Sequence, residues 1–215
     1  MTVRWPVVLF DLDGTLVNTI DLIVASYQHS FRTVLGHEWD TEEIKSWIGK
    51  SLIGSLKEAA PDHADELFTQ YVEWNHQHTP DMLSDYPGIH DLLRGLLAAG
   101  VRLGCVTSKR YDQAQWALDL AHLADLVPLI ISHDDVTYHK PHPEPLLAGA
   151  AAMNSGIGDT VYIGDALVDI EAAHAADMDC IAVTWGAGSR EALIEAYPTW
   201  IVDTAEQLRA VLLPE

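Results

Sequence analysis

The chain is poor in cysteine: Cys105 and Cys180 are the two among 215 residues. Each lies inside an apolar segment with no second cysteine near it, which excludes a CxxC redox pair or a zinc knuckle and points to buried structural thiols. Basic residues are scarce as well, 12 Lys and Arg against 32 Asp and Glu, for a formal net charge of −20 at pH 7. Nucleic acid is held through phosphates that demand lysine and arginine, so this balance excludes it as a partner. The chain also lacks any run near the ~20 apolar residues of a membrane span. Its N-terminus lacks the basic, apolar and small-residue regions of a signal peptide. A soluble protein of a reducing cytoplasm, with no membrane partner, is the expectation.

What is present is a chain that folds. Hydrophobic residues make up 48% against 20% charged, too apolar for disorder, and the length suffices for one core plus a smaller insert. Short apolar runs recur: VVLF at 7–10, VRLGCV at 101–106, LVPLII at 126–131, TVYI at 160–163 and CIAV at 180–183. Amphipathic stretches of helical length separate most of them, such as HDLLRGLLAA before Gly100 and YDQAQWALDLAHLA at 111–124. Runs without polar alternation, interleaved with helices, predict an α/β fold with a Rossmann-like parallel sheet covered on both faces. From about Asn18 to Met82 the pattern is helical throughout. A helix over 19–35 has Asp21 in its first turn and Gly36 as its stop, and another follows Pro61. The chain therefore divides into a core of residues 1–17 and 83–215 and an inserted all-helical cap of residues 18–82, with a hinge loop from Pro80 to Gly88.

Ligands of parallel α/β sheets bind outside the carboxyl ends of the strands. The residues there are Asp11 and Asp13 after the first run, Thr107, Ser108 and Lys109 after the second, Lys140 after the third, and Asp165 and Asp169 after the fourth. An EF-hand starting at Asp11 fails, because its fifth, sixth and twelfth places are Thr15, Leu16 and Leu22. A P-loop ending in IGKS at 48–51 fails, because its first glycine would have to be Ile44. The pairs His76/His78 and His139/His142 lack a third ligand at a zinc-like spacing and read as solvent-exposed or loop histidines.

Taken together, FDLDGT (10–15), VTS (106–108), HKP (139–141) and GDALVD (164–169) resemble the four motifs of the haloacid dehalogenase superfamily, in order and over essentially the whole chain. The helical insert resembles the cap of the subfamily that carries one directly after the first motif. Within that group NTIDLIVASY, CVTSK and DDVTYHKPHPEP are most similar to bacterial phosphoglycolate phosphatases and a related inorganic pyrophosphatase. One departure is Asn18, where relatives often carry Asp.

The resemblance implies a Mg2+-dependent phosphohydrolase acting on a small phosphoester or phosphoanhydride. It makes Asp11 the nucleophile that forms an aspartyl-phosphate, and Asp13 the acid that protonates the leaving oxygen and then activates water. It assigns the metal to Asp11, the backbone carbonyl of Asp13 and Asp165, with Asp169 either at the metal or orienting Lys140. Lys140, Thr107 and Ser108 would hold the phosphoryl oxygens, Gly14 would let the backbone turn beside them, and Lys50 and Lys109 would meet a second anionic group. A cation is required on charge grounds, since two like charges at 4 Å repel by about 4 kcal/mol even at an effective dielectric of 20. The acid at position 13 separates this pattern from relatives that dehalogenate. Two alternatives stand beside it: a phosphomutase of the β-phosphoglucomutase type, although the serine-rich stretch of hexose phosphomutases is missing after the second run, and a catalytically silent binding module. The sequence leaves monomer and homodimer open.

Overall fold

Val7, Val8, Leu9 and Phe10 are each fully buried, and together they form strand β1 (Val7–Phe10), paired in parallel on both sides. Side chains alternate along a strand. Val7 and Leu9 therefore enter one hydrophobic cluster while Val8 and Phe10 enter another across the sheet. The computed structural model describes residues 3–214 of the chain. Further strands are β2 (Val17–Asn18), β3 (Ser84–Asp85), β4 (Arg102–Val106), β5 (Leu129–Ile131), β6 (Thr160–Gly164), β7 (Asp179–Val183) and β8 (Trp200–Val202). The helices are α1 (Ile20–Leu35), α2 (Thr41–Ser46), α3 (Leu52–Ala59), α4 (Ala64–Met82), α5 (Ile89–Ala98), α6 (Tyr111–Leu120), α7 (Glu144–Ala152), α8 (Leu167–Ala175), α9 (Arg190–Glu195) and α10 (Ala205–Leu212).

Six strands form the expected parallel sheet, in the order β5-β4-β1-β6-β7-β8. Helices α5, α6 and α10 contribute to the cluster on one face, and α7, α8 and α9 to that on the other. After β1 the chain returns to β4 on one side, and after β5 it crosses to β6 on the other. Such a reversal opens a crevice at the carboxyl end of the strand between the two halves. Each of the five apolar runs contains a strand. Strand β8 does not announce itself in the sequence, because an edge strand of three residues with Trp200 exposed has neither the length nor the burial of its neighbours.

The segment between β2 and β3 is helical, as its sequence predicts. Helix α1 ends where Gly36 takes a left-handed conformation (φ 79°) and its N–H bonds the Arg32 carbonyl at 3.1 Å. The segment has a hydrophobic cluster of its own in which Phe31, Ile44, Leu56 and Leu67 are fully buried. Aromatic rings knit it: Phe31 stacks on Trp39 at 4.6 Å between centroids, and Tyr27 meets Trp47 and Tyr71 edge-on at 5.3 and 4.8 Å. The exit loop is shorter than the Pro80–Gly88 hinge suggested by the prolines. Pro80 lies inside α4, on its exposed side, where the hydrogen bond it cannot donate is lost toward solvent. Strands β2 and β3 pair with each other, Val17 opposite Asp85 and Asn18 opposite Ser84, so the chain enters and leaves the helical segment side by side.

Phe31 is fully buried in that cluster, so Phe31→Ala is expected to lower the unfolding free energy by about 3–5 kcal/mol. Replacing the exposed Lys57 by Ala should change it by less than ~0.5 kcal/mol. Urea midpoints of the two variants check this, and equal midpoints would contradict the burial described.

Candidate active site

The sheet's hydrogen bonding runs one residue past β1. The Asp11 N–H bonds the Ile163 carbonyl at 2.8 Å, which holds the Asp11 side chain in the crevice, 2% exposed. A tight turn follows, with Gly14 at φ 80° and its N–H on the Val17 carbonyl at 2.9 Å. Thr15 lies in this turn, ahead of β2, and its hydroxyl donates to Asp165 Oδ1 at 2.8 Å. The other Asp165 oxygen accepts the Ala187 N–H at 2.7 Å. Glycines close around this carboxylate, since a Cβ at Gly14 or at Gly186 would stand 2.2 or 2.1 Å from Asp165 Oδ2. Asp169, in the first turn of α8, accepts the Ala166 N–H on Oδ2 at 3.0 Å and Lys140 Nζ on Oδ1 at 2.6 Å. Lys140 comes from the loop after β5, which Glu144 shapes by accepting the N–H groups of Thr137 and Tyr138. The Lys140 side chain has no exposed surface; it also donates to the Tyr162 hydroxyl at 3.0 Å and lies 3.1 Å from Asp11 Oδ1.

Carboxylate oxygens of Asp11, Asp165 and Asp169 all lie within 4.8 Å of one another and are buried. At that spacing each ionised pair repels by roughly 3.5 kcal/mol at an effective dielectric of about 20, and Lys140 is the single lysine among them. Burial pushes the Asp11 carboxyl up to about 7; Lys140 pulls against this, and the charges of Asp169 and Asp13 add to it. Burial also drives Asp165 well above the usual carboxylate range, reinforced by Asp169 and Asp11 and opposed by the Ala187 N–H and the Thr15 hydroxyl. Burial works against the Lys140 charge, but Asp11 and Asp169 outweigh it and hold the ammonium above the ordinary lysine range. Asp11 Oδ1 is buried and, with the Lys140 ammonium 3.1 Å away as its ion-pair partner, is left without a hydrogen bond. An unbonded carboxylate oxygen inside an all-oxygen set with excess negative charge fits a hard divalent cation. Asp11 is the natural holder; Asp165 and Asp169 each have both oxygens hydrogen-bonded, Asp165 by neutral donors alone and Asp169 in part by the Lys140 ammonium, which leaves Asp165 the more available of the two to a cation.

The other predicted residues lie around a cavity of about 310 Å3 between the core loops and the helical segment. Asp13 points into it, and its carboxylate is bound by Lys109 Nζ at 2.9 and 3.0 Å and by the Thr19 hydroxyl at 2.6 Å. Lys109, expected to face a second anionic group, is thus engaged with Asp13. Thr107 is buried, its N–H on the Ile131 carbonyl at 2.9 Å and its hydroxyl accepting the Lys109 N–H at 3.2 Å. The Ser108 hydroxyl reaches across the cavity and donates to the Gly49 carbonyl at 2.7 Å. Lys50 lines the wall contributed by the helical segment. Thr15, Tyr162 and the loop after β7 escape the sequence reading. The last of these was within reach, because WGAGS follows an apolar run as the other site loops do. Among the described residues no histidine falls in a cluster of three or more potential metal ligands; His76 stacks on Trp116, His78 on Trp74 and His139 on His133.

A family model described as haloacid dehalogenase-like hydrolase matches residues 8–183, and the chain belongs to that family of hydrolases. It is 34% identical over 205 residues to the pyrophosphatase PpaX of Bacillus pumilus (strain SAFR-032) and 32% identical over 206 residues to PpaX of Bacillus cereus (strain G9842), with 95% of each chain covered. Among solved structures it superposes on one from Bacteroides fragilis provisionally assigned as a haloacid dehalogenase-like hydrolase, with TM-score 0.87, 28% identity, and 95% of this chain and 100% of that one covered. A second, from Lactobacillus plantarum and provisionally assigned as a phosphoglycolate phosphatase, gives TM-score 0.84 at 25% identity over 97% and 98% of the chains.

A Cβ at position 186 cannot coexist with Asp165 as placed. Gly186→Ala is therefore expected to weaken Mg2+ affinity about 10- to 100-fold with the fold retained, as for other groups that position metal ligands. Calorimetric titration with circular dichroism as control checks this, and unchanged affinity would remove Asp165 from the metal site. A carboxyl whose folded-state pKa is raised stabilises the fold fully below its unfolded value near 3.8, and that contribution disappears as pH rises through about 7. Metal-free protein should thus lose thermal stability across this window. Because a cation binds the ionised form, the rise in Tm produced by Mg2+ should grow over the same window; a pH-independent increment would refute the assignment.

Proposed function

We propose that this hydrolase is Mg2+-dependent and cleaves a small phosphoester or phosphoanhydride through an aspartyl-phosphate on Asp11. The observation that carries the proposal is the buried, donor-free Oδ1 of Asp11 within the carboxylate triad braced by Lys140. Mg2+ held by Asp11, Asp165 and the backbone carbonyl of Asp13 would supply positive charge that keeps Asp11 ionised and screens it from an approaching phosphoryl group. Lys140 adds a second, fixed positive charge at the same oxygen. An Asp11 oxygen attacks phosphorus as the bond to the leaving oxygen breaks, and Asp13 gives its proton to that oxygen. Asp13, now ionised, takes a proton from water, whose oxygen attacks the aspartyl-phosphate and frees both inorganic phosphate and Asp11. Thr107 and neighbouring backbone N–H groups hold the phosphoryl oxygens.

Asp13 is held at the start of the cycle by Lys109 and Thr19. In the proposed first step substrate draws Lys109 away and Asp13 takes up a proton from solvent water, the proton it then gives to the leaving oxygen. The division into a core of 1–17 and 83–215 and a cap of 18–82 belongs to the same proposal. It is supported by the cap's separate hydrophobic cluster and by the β2–β3 pairing at its two ends. The Bacillus pyrophosphatases support a phosphoanhydride substrate, and the L. plantarum structure a phosphoester. A reducing cytoplasm suits the two unpaired, buried thiols, whose ionisation burial disfavours. No helix among the described residues is long and apolar enough to cross a membrane.

Phosphate release from pyrophosphate and phosphoglycolate, assayed side by side, tests the proposal. Turnover should require Mg2+, stop with EDTA, and fall by orders of magnitude in Asp11→Asn. Asp13→Asn is expected to lose about 10²- to 10⁴-fold. Undiminished activity in Asp11→Asn would overturn the assignment of the nucleophile.

A further inference from the structure

The wall of the cavity facing Asp11 and Asp13 is out of keeping with a substrate made of charge alone. Leu52, Ile53, Phe68 and Val72, from α3 and α4, back onto the cap's hydrophobic cluster and turn a half-buried side to the cavity. Apolar surface left open over a reaction centre is unfavourable unless a ligand covers it. Positive charge at this wall is thin. Lys109 stands on the opposite, core side of the cavity beside Asp13, at the phosphoryl end. Arg110 is half exposed and lies 3.8 Å from Asp134. His133 is stacked on His139, and burial lowers the pKa of both rings. Lys50 is left as the cation of the cap wall, and Asp65 on the same wall carries the opposite sign. A second phosphate carries two or more negative charges, and placing it among four apolar side chains and a carboxylate would cost desolvation that one lysine does not offset. The volume agrees: about 310 Å3 is at the lower end of the cavities that hold organic ligands.

Resting on the reading above that this cavity is the phosphoryl-transfer site, we infer that the substrate is an organic phosphomonoester whose body beyond the phosphate is apolar, a short carbon chain or small ring seated against Leu52, Ile53, Phe68 and Val72. The cap wall then selects by burying carbon, and Lys50 meets at most one polar group at the rim. A compact dianionic leaving group such as phosphate is disfavoured by the same wall.

Binding of n-alkylphosphonates of one, three and five carbons to the Mg2+-loaded protein tests this by calorimetry, because these probes are not hydrolysed and the result does not depend on turnover. Affinity should rise about fourfold for each added methylene that is buried, and pentylphosphonate should bind more tightly than methylenediphosphonate. Phe68→Ser and, separately, Ile53→Asn should flatten the dependence on chain length. Affinity that is flat or falls with length, tighter binding of methylenediphosphonate, or no binding of any phosphonate overturns the inference. Hydrolysis of the matching n-alkyl phosphates, whose leaving groups differ little in basicity, separates the two levels. A rise in affinity with length but no Mg2+-dependent release from any ester would overturn the phosphohydrolase reading and uphold the apolar subsite. Good turnover with a flat length dependence would do the reverse.

Discussion

Lys140, wholly withdrawn from water between Asp11 and Asp169, is the constraint on which the rest of the site depends. A buried ammonium is tolerated only where opposite charge and hydrogen bonds replace its hydration. Here the replacement comes from three places in the chain: the end of β1, the first turn of α8 and the Tyr162 hydroxyl on β6. The Tyr162 hydroxyl in turn donates to the Val106 carbonyl at the end of β4, which ties three adjacent strands together beneath the crevice. Because the trio of side chains is dry, its geometry is set by packing and is not averaged by solvent. That rigidity is what the proposed nucleophile, Asp11, would need for in-line approach, since misplacement by about 1 Å is enough to cost a hundredfold in rate.

Around that centre the chain uses small residues to bring backbone close to carboxylates. Gly14 and Gly186 flank Asp165, and a Cβ at Gly164 would stand 2.4 Å from the Asp169 carboxyl. The glycines after β1 and β7 and at the end of β6 thus have one physical purpose, which is to remove the bulk that would otherwise keep N–H donors and the turn away from acidic oxygens. The Trp185 indole, donating to the Thr15 carbonyl at 3.1 Å, clamps the last of these loops onto the first.

Much of this was legible in the residues themselves. Five apolar runs are long enough and apolar enough to be read as buried strands, and the acids and the lysine that follow them are the polar ends of those runs. What could not be read are partners chosen by distance in space alone. Thr15 finds Asp165 across 150 positions of sequence, Lys109 finds Asp13 across 96, and Ser108 finds Gly49 across 59. Nothing in local pattern or composition encodes such a pairing. Tyr162 illustrates the same limit: in TVYI it reads as one more apolar strand residue, and only the fold shows its hydroxyl turned to the charged cluster. Pro80 misled for a local reason, because an exposed position in the last turn of a helix tolerates a residue that an interior position would not.

The pairing of β2 with β3 has a consequence for how such a molecule can change over generations. The two points where the helical segment joins the sheet are neighbours, so the strand order of the core is indifferent to what lies between them. A segment of different length or composition can be exchanged there as a cassette, with no strand rethreaded and no loop of the reaction centre displaced. On the proposed reading, chemistry and selectivity are separately inheritable in this chain: mutations on α3 and α4 would redraw the range of molecules admitted while the buried lysine and its carboxylates pass on unaltered.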